Sequence, residues 1–446
     1  MDIFLDSLFV ISKGKTVCAE YYHPYKKGML HRMFSVSKSY TSLAIGALIS
    51  ENKLNLDDAI VDYFPELFGD KIQDPEYDLL KQMTIRNMLM MQTCFASTTY
   101  KNNLKENWLA SFFQTKPDHA PGMIFNYDTS AALALSALVR KLSGKSVLDY
   151  LREIYLDKIG FSKEAYFMPD PFGTDNGGSG MMAYPEDLLI TGRFLMAAYR
   201  GRLFEEYTML LSQSDSVYDR DFFKRYMIYL KEAMSFQTDT VHAGKTRSER
   251  YGYGYFFWML PKNGIMMYGM GGQYLILYPD EELIVVTTAD TQSESGGTQR
   301  ILDYVEYELL EEYGEGGINP KRETEAIPKE YFGEYTLTKN DSVFDGFSIK
   351  ENLMCFYKKE QTYCFAYENG RYGNPGIFPD GLKYCAKAQI LQDGNLYLHI
   401  RLIGEIFGSV HVVICRKNGR ALLYLRTVEE YALREFNGFF DAVIHI

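Results

Sequence analysis

The chain reads as an α/β (α+β) protein: an antiparallel sheet flanked by helices, a helical subdomain, and a separate small antiparallel β domain at the C-terminal end. Three observations predict this. Met33 to Ile49 loses nearly all polarity by Leu43, so it reads as a helix entering a core with its polar head left at a cleft. Tyr251–Met259, Gly264–Leu277 and Leu283–Thr288 read as successive strands of one sheet. From about Ile327 the texture changes to alternating runs such as Leu396–Ile400, punctuated by Asn369-Gly370, Asp393-Gly394 and Asn418-Gly419.

Taken in order, Leu8–Ser12 and Thr16–Tyr22 flank a Lys13-Gly14-Lys15 turn and predict a hairpin. The apolar helix follows. Thr84 is placed to cap a helix over the Met-rich run that ends near Met91, where the methionines are core filler. Trp108 and Phe112-Phe113 sit in an amphipathic helix, and Ala131–Ser143 forms another that Gly144 stops. Asp175–Gly180 is a glycine-rich loop, and Pro185-Glu186-Asp187 opens a helix running to about Tyr199. Residues 205–250 are polar and helical, the composition of a lid. Thr298–Leu310 is amphipathic and closes the first domain. The domains expected are 1–314, a linker over 315–326, and a β-rich, barrel-like domain over 327–446 carrying one helix near Val428–Phe436. That last domain is expected to cover or stiffen the first.

Composition excludes several classes. A net charge of −11 supplies no basic footprint for nucleic acid. No run approaches the roughly 18 unbroken apolar residues of a membrane span. The seven histidines never fall in HxH or HxxxH spacing, so neither metal nor other cofactor is expected. Met1–Ser7 has no basic n-region or cleavage site, which reads as a cytoplasmic chain. The six cysteines (18, 94, 355, 364, 385 and 415), without CxxC spacing, are then expected to be reduced and buried.

Ser35 lies at the start of the apolar helix, where backbone N–H groups point outward, and Lys38 follows one turn later on the same face. A hydroxyl beside an amine that burial can deprotonate is a way to make a nucleophile, although a serine at a helix start is more often only a cap. The flanks decide between these. Ser35-Val36-Ser37-Lys38, with Asn52–Asp58 and Tyr63–Leu67 after it, resembles the penicillin-recognising serine hydrolases, the clan of class C β-lactamases, D,D-peptidases and related esterases and amidases. Pro121–Ser130 resembles the clan's second box, Tyr-x-Asn, with Tyr127 in the tyrosine position and Thr129 in place of the asparagine. The third box, Lys-Thr-Gly in lactamases, falls on Met267-Tyr268-Gly269, and Gly269-Met270-Gly271-Gly272-Gln273 is similar to the esterase and nylon-oligomer-hydrolase branch.

The resemblance implies a β-lactamase/transpeptidase-like fold over about residues 8–312. It implies Ser35 as nucleophile, Lys38 and Tyr127 as proton carriers, and the Ser35 and Met270 amides as an oxyanion hole. Thr129, Gly269, Gly271 and Gln273 are implied on the substrate side. Relatives carry a helix ahead of the first hairpin that is short or missing here. Met267 and Tyr268 supply no cation for a substrate carboxylate, and Thr129 reaches less far than an asparagine. The expected partner is therefore a small ester or amide. Penicillin or D,D-peptide turnover is the rival reading, and a non-catalytic binder or sensor that kept the fold is the rival from a different class.

Overall fold

A computed structural model gives the fold. It describes all residues except 1–4, 102–103, 124, 208–217, 241–245, 295, 312–325, 340–342, 379–380, 391–394, 405–407, 418–419, 429–435, 437 and 446. Contacts divide the chain into two compact units: residues 1–20 with 30–316, and residues 21–29 with 317–446. The second unit thus takes in a segment from deep inside the first in sequence.

The first unit is built on a six-stranded sheet. Its strands are β1 (Leu5–Ser12), β2 (Lys15–Tyr21), β6 (Trp258–Leu260), β7 (Gly264–Gly269), β8 (Gln273–Tyr278) and β9 (Leu283–Ala289), in the order β2-β1-β9-β8-β7-β6. The expected first hairpin forms, and β1 pairs antiparallel with β9, Phe9 opposite Val286. A second sheet has three strands: β3 (His31–Phe34), β4 (Tyr166–Phe167) and β5 (Met181–Ala183), in the order β3-β5-β4. Strands β8 and β9 are buried along their whole length, which explains their continuous apolar sequence. The Pro185–Tyr199 helix packs so closely on them that a Cβ at Gly192 would lie 2.7 Å from Leu275 and 2.9 Å from Ile284.

The Val36–Ser50 helix is the core element. Every residue in it except Ile49 is buried. Its polar side chains are therefore all committed to partners. Ser39 donates to the Phe256 carbonyl (2.6 Å), the Tyr40 hydroxyl meets Thr191 (2.7 Å), Thr41 donates to the Gly177 carbonyl (3.1 Å), and Ser42 pairs with the Tyr229 hydroxyl (2.9 Å). Thr84 caps the Ile85–Leu89 helix in a reciprocal box with Asn87, and Gly144 ends the Thr129–Ser143 helix in the left-handed conformation.

Two readings change here. Arg220–Ala233, expected in a lid, is a helix packed on the core helix. Its Tyr226 hydroxyl donates to the Leu43 carbonyl (3.0 Å), and a Cβ at Gly46 would lie 2.1 Å from the Tyr229 ring. Aromatic residues at 222, 223, 226 and 229 give this helix an apolar face that has to be buried. Tyr251–Met259, expected as one strand, is a strand only from Trp258. Gly252 (φ +108°) and Phe256 (φ +62°) turn the backbone out of the extended region.

The second unit holds one curled, mainly antiparallel sheet. Gly333–Lys339 pairs with both Gly346–Lys350 and Gly438–His445, and the strands continue outward to Gln361–Ala366 on one side and Lys383–Ile390 on the other. The curl brings the Phe365 and Tyr384 rings from these outer strands to 5.3 Å. A core drawn from residues between Ile327 and Ala442 fills the inside. Residues 21–29 contribute Tyr25, whose ring lies under the Arg401 guanidinium (5.4 Å), and His23, bonded to the Gly373 carbonyl (2.6 Å).

Asn369-Gly370 is not a hairpin turn, because Glu368–Asn369 pairs in parallel with Lys383–Ile390. Asp393-Gly394, Asn418-Gly419, most of the 428–436 helix and the linker lie outside the described residues. The cysteine expectation also changes. Cys355 and Cys364 stand directly opposite each other on neighbouring strands and form a disulfide, while Cys18 and Cys415 are only partly buried. Cross-strand placement of two cysteines is invisible to a search for CxxC spacing.

Candidate active site

Ser35 sits at the mouth of the core helix. It occupies the N-cap position, yet its side chain makes no capping hydrogen bond. The residue before it, Phe34, has φ +46°, a conformation that costs a non-glycine residue about 1–3 kcal/mol and is held only where the surroundings impose it. The Ser35 hydroxyl instead meets two side chains. Lys38 donates from Nζ to Ser35 Oγ (3.0 Å), and the Tyr127 phenol shares a hydrogen bond with the same hydroxyl.

Lys38 is 1% exposed. Burial pushes its ammonium down to about 7, and the buried Asp128 carboxylate only partly opposes this. A second bond runs from Nζ to the Gly178 carbonyl (2.7 Å), and Nζ lies 4.8 Å from the centre of the Tyr127 ring. The lysine is thus held in one place, near neutrality, against the serine. Burial also raises the Tyr127 phenol well above its ordinary range, with the Ser35 hydrogen bond working against the rise. The ring stacks on Trp258 (5.9 Å, 19°).

The Asp175–Gly180 loop reaches this point because its glycines remove bulk. A Cβ at Gly177 would lie 2.4 Å from Ser136, and one at Gly178 would lie 2.5 Å from the Thr129 methyl. Asp128 caps the Thr129–Ser143 helix and accepts from the Ser130 amide and hydroxyl and from Thr93 (3.1 Å). Its carboxylate is anchored on the Tyr127 side of the site by the same turn that positions the phenol.

Met270 lies in the turn between β7 and β8 and is 42% exposed. Gly269 ends β7 against β3, where a Cβ would be 2.2 Å from the Met33 carbonyl. This glycine therefore lets two backbones meet, Met33-Phe34-Ser35 and Gly269-Met270, which carry the two expected oxyanion N–H groups. Gly271 (φ +86°) gives its carbonyl to the Thr291 amide (3.0 Å) and hydroxyl (3.1 Å). Gln273 is not brought to the substrate side. It is fully buried, its Nε2 donates to the Met270 and Ala289 carbonyls (2.9 and 2.7 Å), and its Oε1 accepts from the Ala289 amide (3.2 Å). It is a strut under the Met270 turn. Thr129 is the first residue of its helix and partly exposed, and its amide donates to Thr98 Oγ1 (3.0 Å).

Sequence reasoning left out three participants: Asp128, Trp258 and the Gly178 carbonyl. An aspartate just ahead of an apolar helix is an N-cap signal, and it points to Asp128. The Gly178 carbonyl belongs to the glycine-rich loop that the resemblance places near the cleft, whereas Trp258 carries no local signal, because its stack on Tyr127 joins segments far apart in sequence.

A family model described as Beta-lactamase matches residues 6–306. The chain belongs to the beta-lactamase family. A curated relative, 6-aminohexanoate-dimer hydrolase of Paenarthrobacter ureafaciens, is 22% identical over 202 residues, 42% of this chain and 51% of the relative. The match thus spans about half that relative's length. Among solved structures, a putative 6-aminohexanoate-dimer hydrolase from Bacillus anthracis aligns with TM-score 0.54 and 18% identity, over 70% of this chain and 81% of the other. A penicillin-binding protein homologue from Pyrococcus abyssi aligns with TM-score 0.50 and 17% identity, over 98% of this chain and 96% of its own. The β-lactamase/transpeptidase-like fold with a C-terminal antiparallel β domain is shared across that span. Among the described residues of this family member, no helix is long and apolar enough to cross a membrane.

Proposed function

We propose that this protein hydrolyses a small ester or amide through an acyl-enzyme on Ser35. The observation that carries the reading is the convergence on one hydroxyl: Lys38 Nζ at 3.0 Å and the Tyr127 phenol both bond a serine that does not cap its helix.

Near pH 7 a substantial fraction of Lys38 is neutral and can take the Ser35 proton as Oγ bonds the substrate carbonyl carbon. Tyr127 relays that proton to the leaving oxygen or nitrogen as its bond to carbon breaks. Water, deprotonated by the same pair, then releases the acid. Such positioned proton transfer is worth roughly 10²–10⁴-fold. The Ser35 and Met270 amides hold the oxyanion, each donor contributing about 3 kcal/mol to the transition state.

Met267 is buried and Tyr268 stacks on Tyr274 (5.0 Å), so the third box offers no cation to a substrate carboxylate. This favours esters and simple amides over penicillins. The name of the curated relative, a hydrolase of a 6-aminohexanoate dimer, points the same way. The Cys355–Cys364 bridge runs against the reduced cysteines expected of a cytoplasmic chain.

Fluorophosphonate labelling tests the reading. The wild-type protein is expected to label and Ser35→Ala to remain unlabelled. Equal labelling of both removes Ser35 as nucleophile. Short p-nitrophenyl esters are expected to turn over faster than a chromogenic cephalosporin, and the reverse order contradicts the carboxylate argument.

A further inference from the structure

Beside the site lies a cleft of about 680 Å³, lined by Gln92, Met123, Phe125, Phe236, Thr238 and Asp239 among others. An aromatic wall joins it to the chemistry. Phe125 stands two residues before Tyr127 and lies edge-on to Trp258 (5.7 Å, 62°), the ring on which Tyr127 stacks. Tyr253 closes the wall from behind, at 5.2 Å from Phe125 and 4.7 Å from Trp258.

The cleft is built rather than incidental. The Gln237 and Thr238 amides both donate to the Tyr253 carbonyl (2.9 and 3.0 Å), and Tyr253 N–H returns a bond to Thr238 (3.0 Å). Gln92 Nε2 is spent on Thr238 Oγ1 (2.8 Å), and Gln237 Nε2 on Glu232 and Ser235. Phe236 lies over Gly252, where a Cβ would come within 2.4 Å of its ring. With those amide donors bonded within the protein, Met123 (70% exposed) and Phe236 (59% exposed) present apolar surface to the cleft, with Asp239 as its one acidic lining residue. Large apolar side chains held open beside reactive groups mark a ligand surface.

We infer that this cleft takes the apolar part of the leaving group, an alkyl or aryl alcohol or amine, rather than the acyl part. The inference rests on the proposed function above. Tyr127 is there the group that hands the proton to the departing atom, so the leaving group departs on the Tyr127 side. The aromatic wall runs from that side into the cleft. The substrate class is then an ester or amide whose alcohol or amine portion carries a hydrophobic chain or ring.

The test uses the full chain and two acetyl esters of similarly acidic alcohols, ethyl acetate and 2-(2-naphthyl)ethyl acetate. Because the acyl-enzyme is the same, kcat/KM reports acylation and hence the leaving-group site. The wild-type protein is expected to favour the naphthylethyl ester by about tenfold or more, the scale of one or two buried methylenes. Phe236→Ser and Met123→Ser, both at exposed positions, are expected to bring that ratio close to one. A ratio near one in the wild type, or the wild-type ratio retained in both variants, overturns the inference. So does a Phe236→Ser effect that appears instead along a series of ethyl esters with lengthening acyl chains. Loss of all Ser35-dependent turnover, of either ester, strikes at the acyl-enzyme reading itself and takes this inference with it.

Discussion

Replacing Lys38 by methionine is expected to abolish turnover and yet stabilise the protein in weak acid. In the folded chain the ammonium titrates near 7 instead of 10.5. A gap of about 3.5 in pKa corresponds to about 5 kcal/mol. The sign follows from which state holds the proton. Below pH 7 both states are protonated and the folded one bears the full cost. Between 7 and 10.5 the unfolded chain keeps a proton that the folded chain lacks, so stability rises with pH across that window.

Methionine removes the cost but loses the bonds to Ser35 and Gly178, and leaves the Gly178 carbonyl without this donor. Together these forfeit about 3 kcal/mol. Lys38→Met is then expected to be about 2 kcal/mol more stable than wild type at pH 6. At pH 9.5 the lysine's remaining cost has fallen to about 1 kcal/mol, so the variant is less stable by about 2 kcal/mol. Urea unfolding followed through Trp258, which lies in the same unit as Lys38, measures both. A variant less stable at pH 6, or a difference that does not change sign by pH 9.5, refutes the argument that Lys38 is held near neutrality at the cost of stability.

Asp128 raises the Lys38 pKa, so Asp128→Asn is expected to move the acid limb of the kcat/KM profile for a short ester to lower pH; an upward move contradicts the geometry. Tyr127→Phe keeps the stack on Trp258 but loses the phenol, and stopped-flow acylation should slow by roughly 10²–10⁴-fold with little change in melting temperature. Gly178→Ala drives a Cβ to 2.5 Å from the Thr129 methyl and should cost about 1–3 kcal/mol in urea midpoint and much of the activity, with Thr129→Ser restoring part of both. Reduction of Cys355–Cys364, which closes a loop with a separation of 9, should destabilise the second unit by about 3 kcal/mol, read as a lower unfolding midpoint in dithiothreitol.

Much of the catalytic unit could be read from order and spacing alone. The core helix, the caps at Thr84 and Gly144, and strands β7 to β9 follow from periodicity and local stop signals, which the sequence carries residue by residue. Ser35 and Lys38 could be paired in advance because one helical turn separates them, and Tyr127 was proposed with them because its flanks resemble a known box. The failures have a common cause. Gln273 looked like a ligand group beside two glycines, but its amide is consumed by carbonyls at 270 and 289, a pairing set by β8 lying between its neighbours. The 205–250 segment looked like a lid because its polar face dominates the composition. Its buried face is a row of aromatics at helical spacing, which only Gly46 on the opposing helix makes sense of. Cys355 and Cys364 meet through sheet register, and no sequence distance encodes register.

The assignment of residues 21–29 has a practical consequence. The chain passes between the two compact units three times, near 20, 29 and 316, so the C-terminal β domain cannot be detached with one cut. A truncated chain ending at 316 would strand Tyr25 without Arg401 and His23 without Gly373. The loose end would then be a loop whose far side leads, within six residues of Met29, to Ser35. Any swap of this domain between relatives would have to carry that loop along as part of the graft.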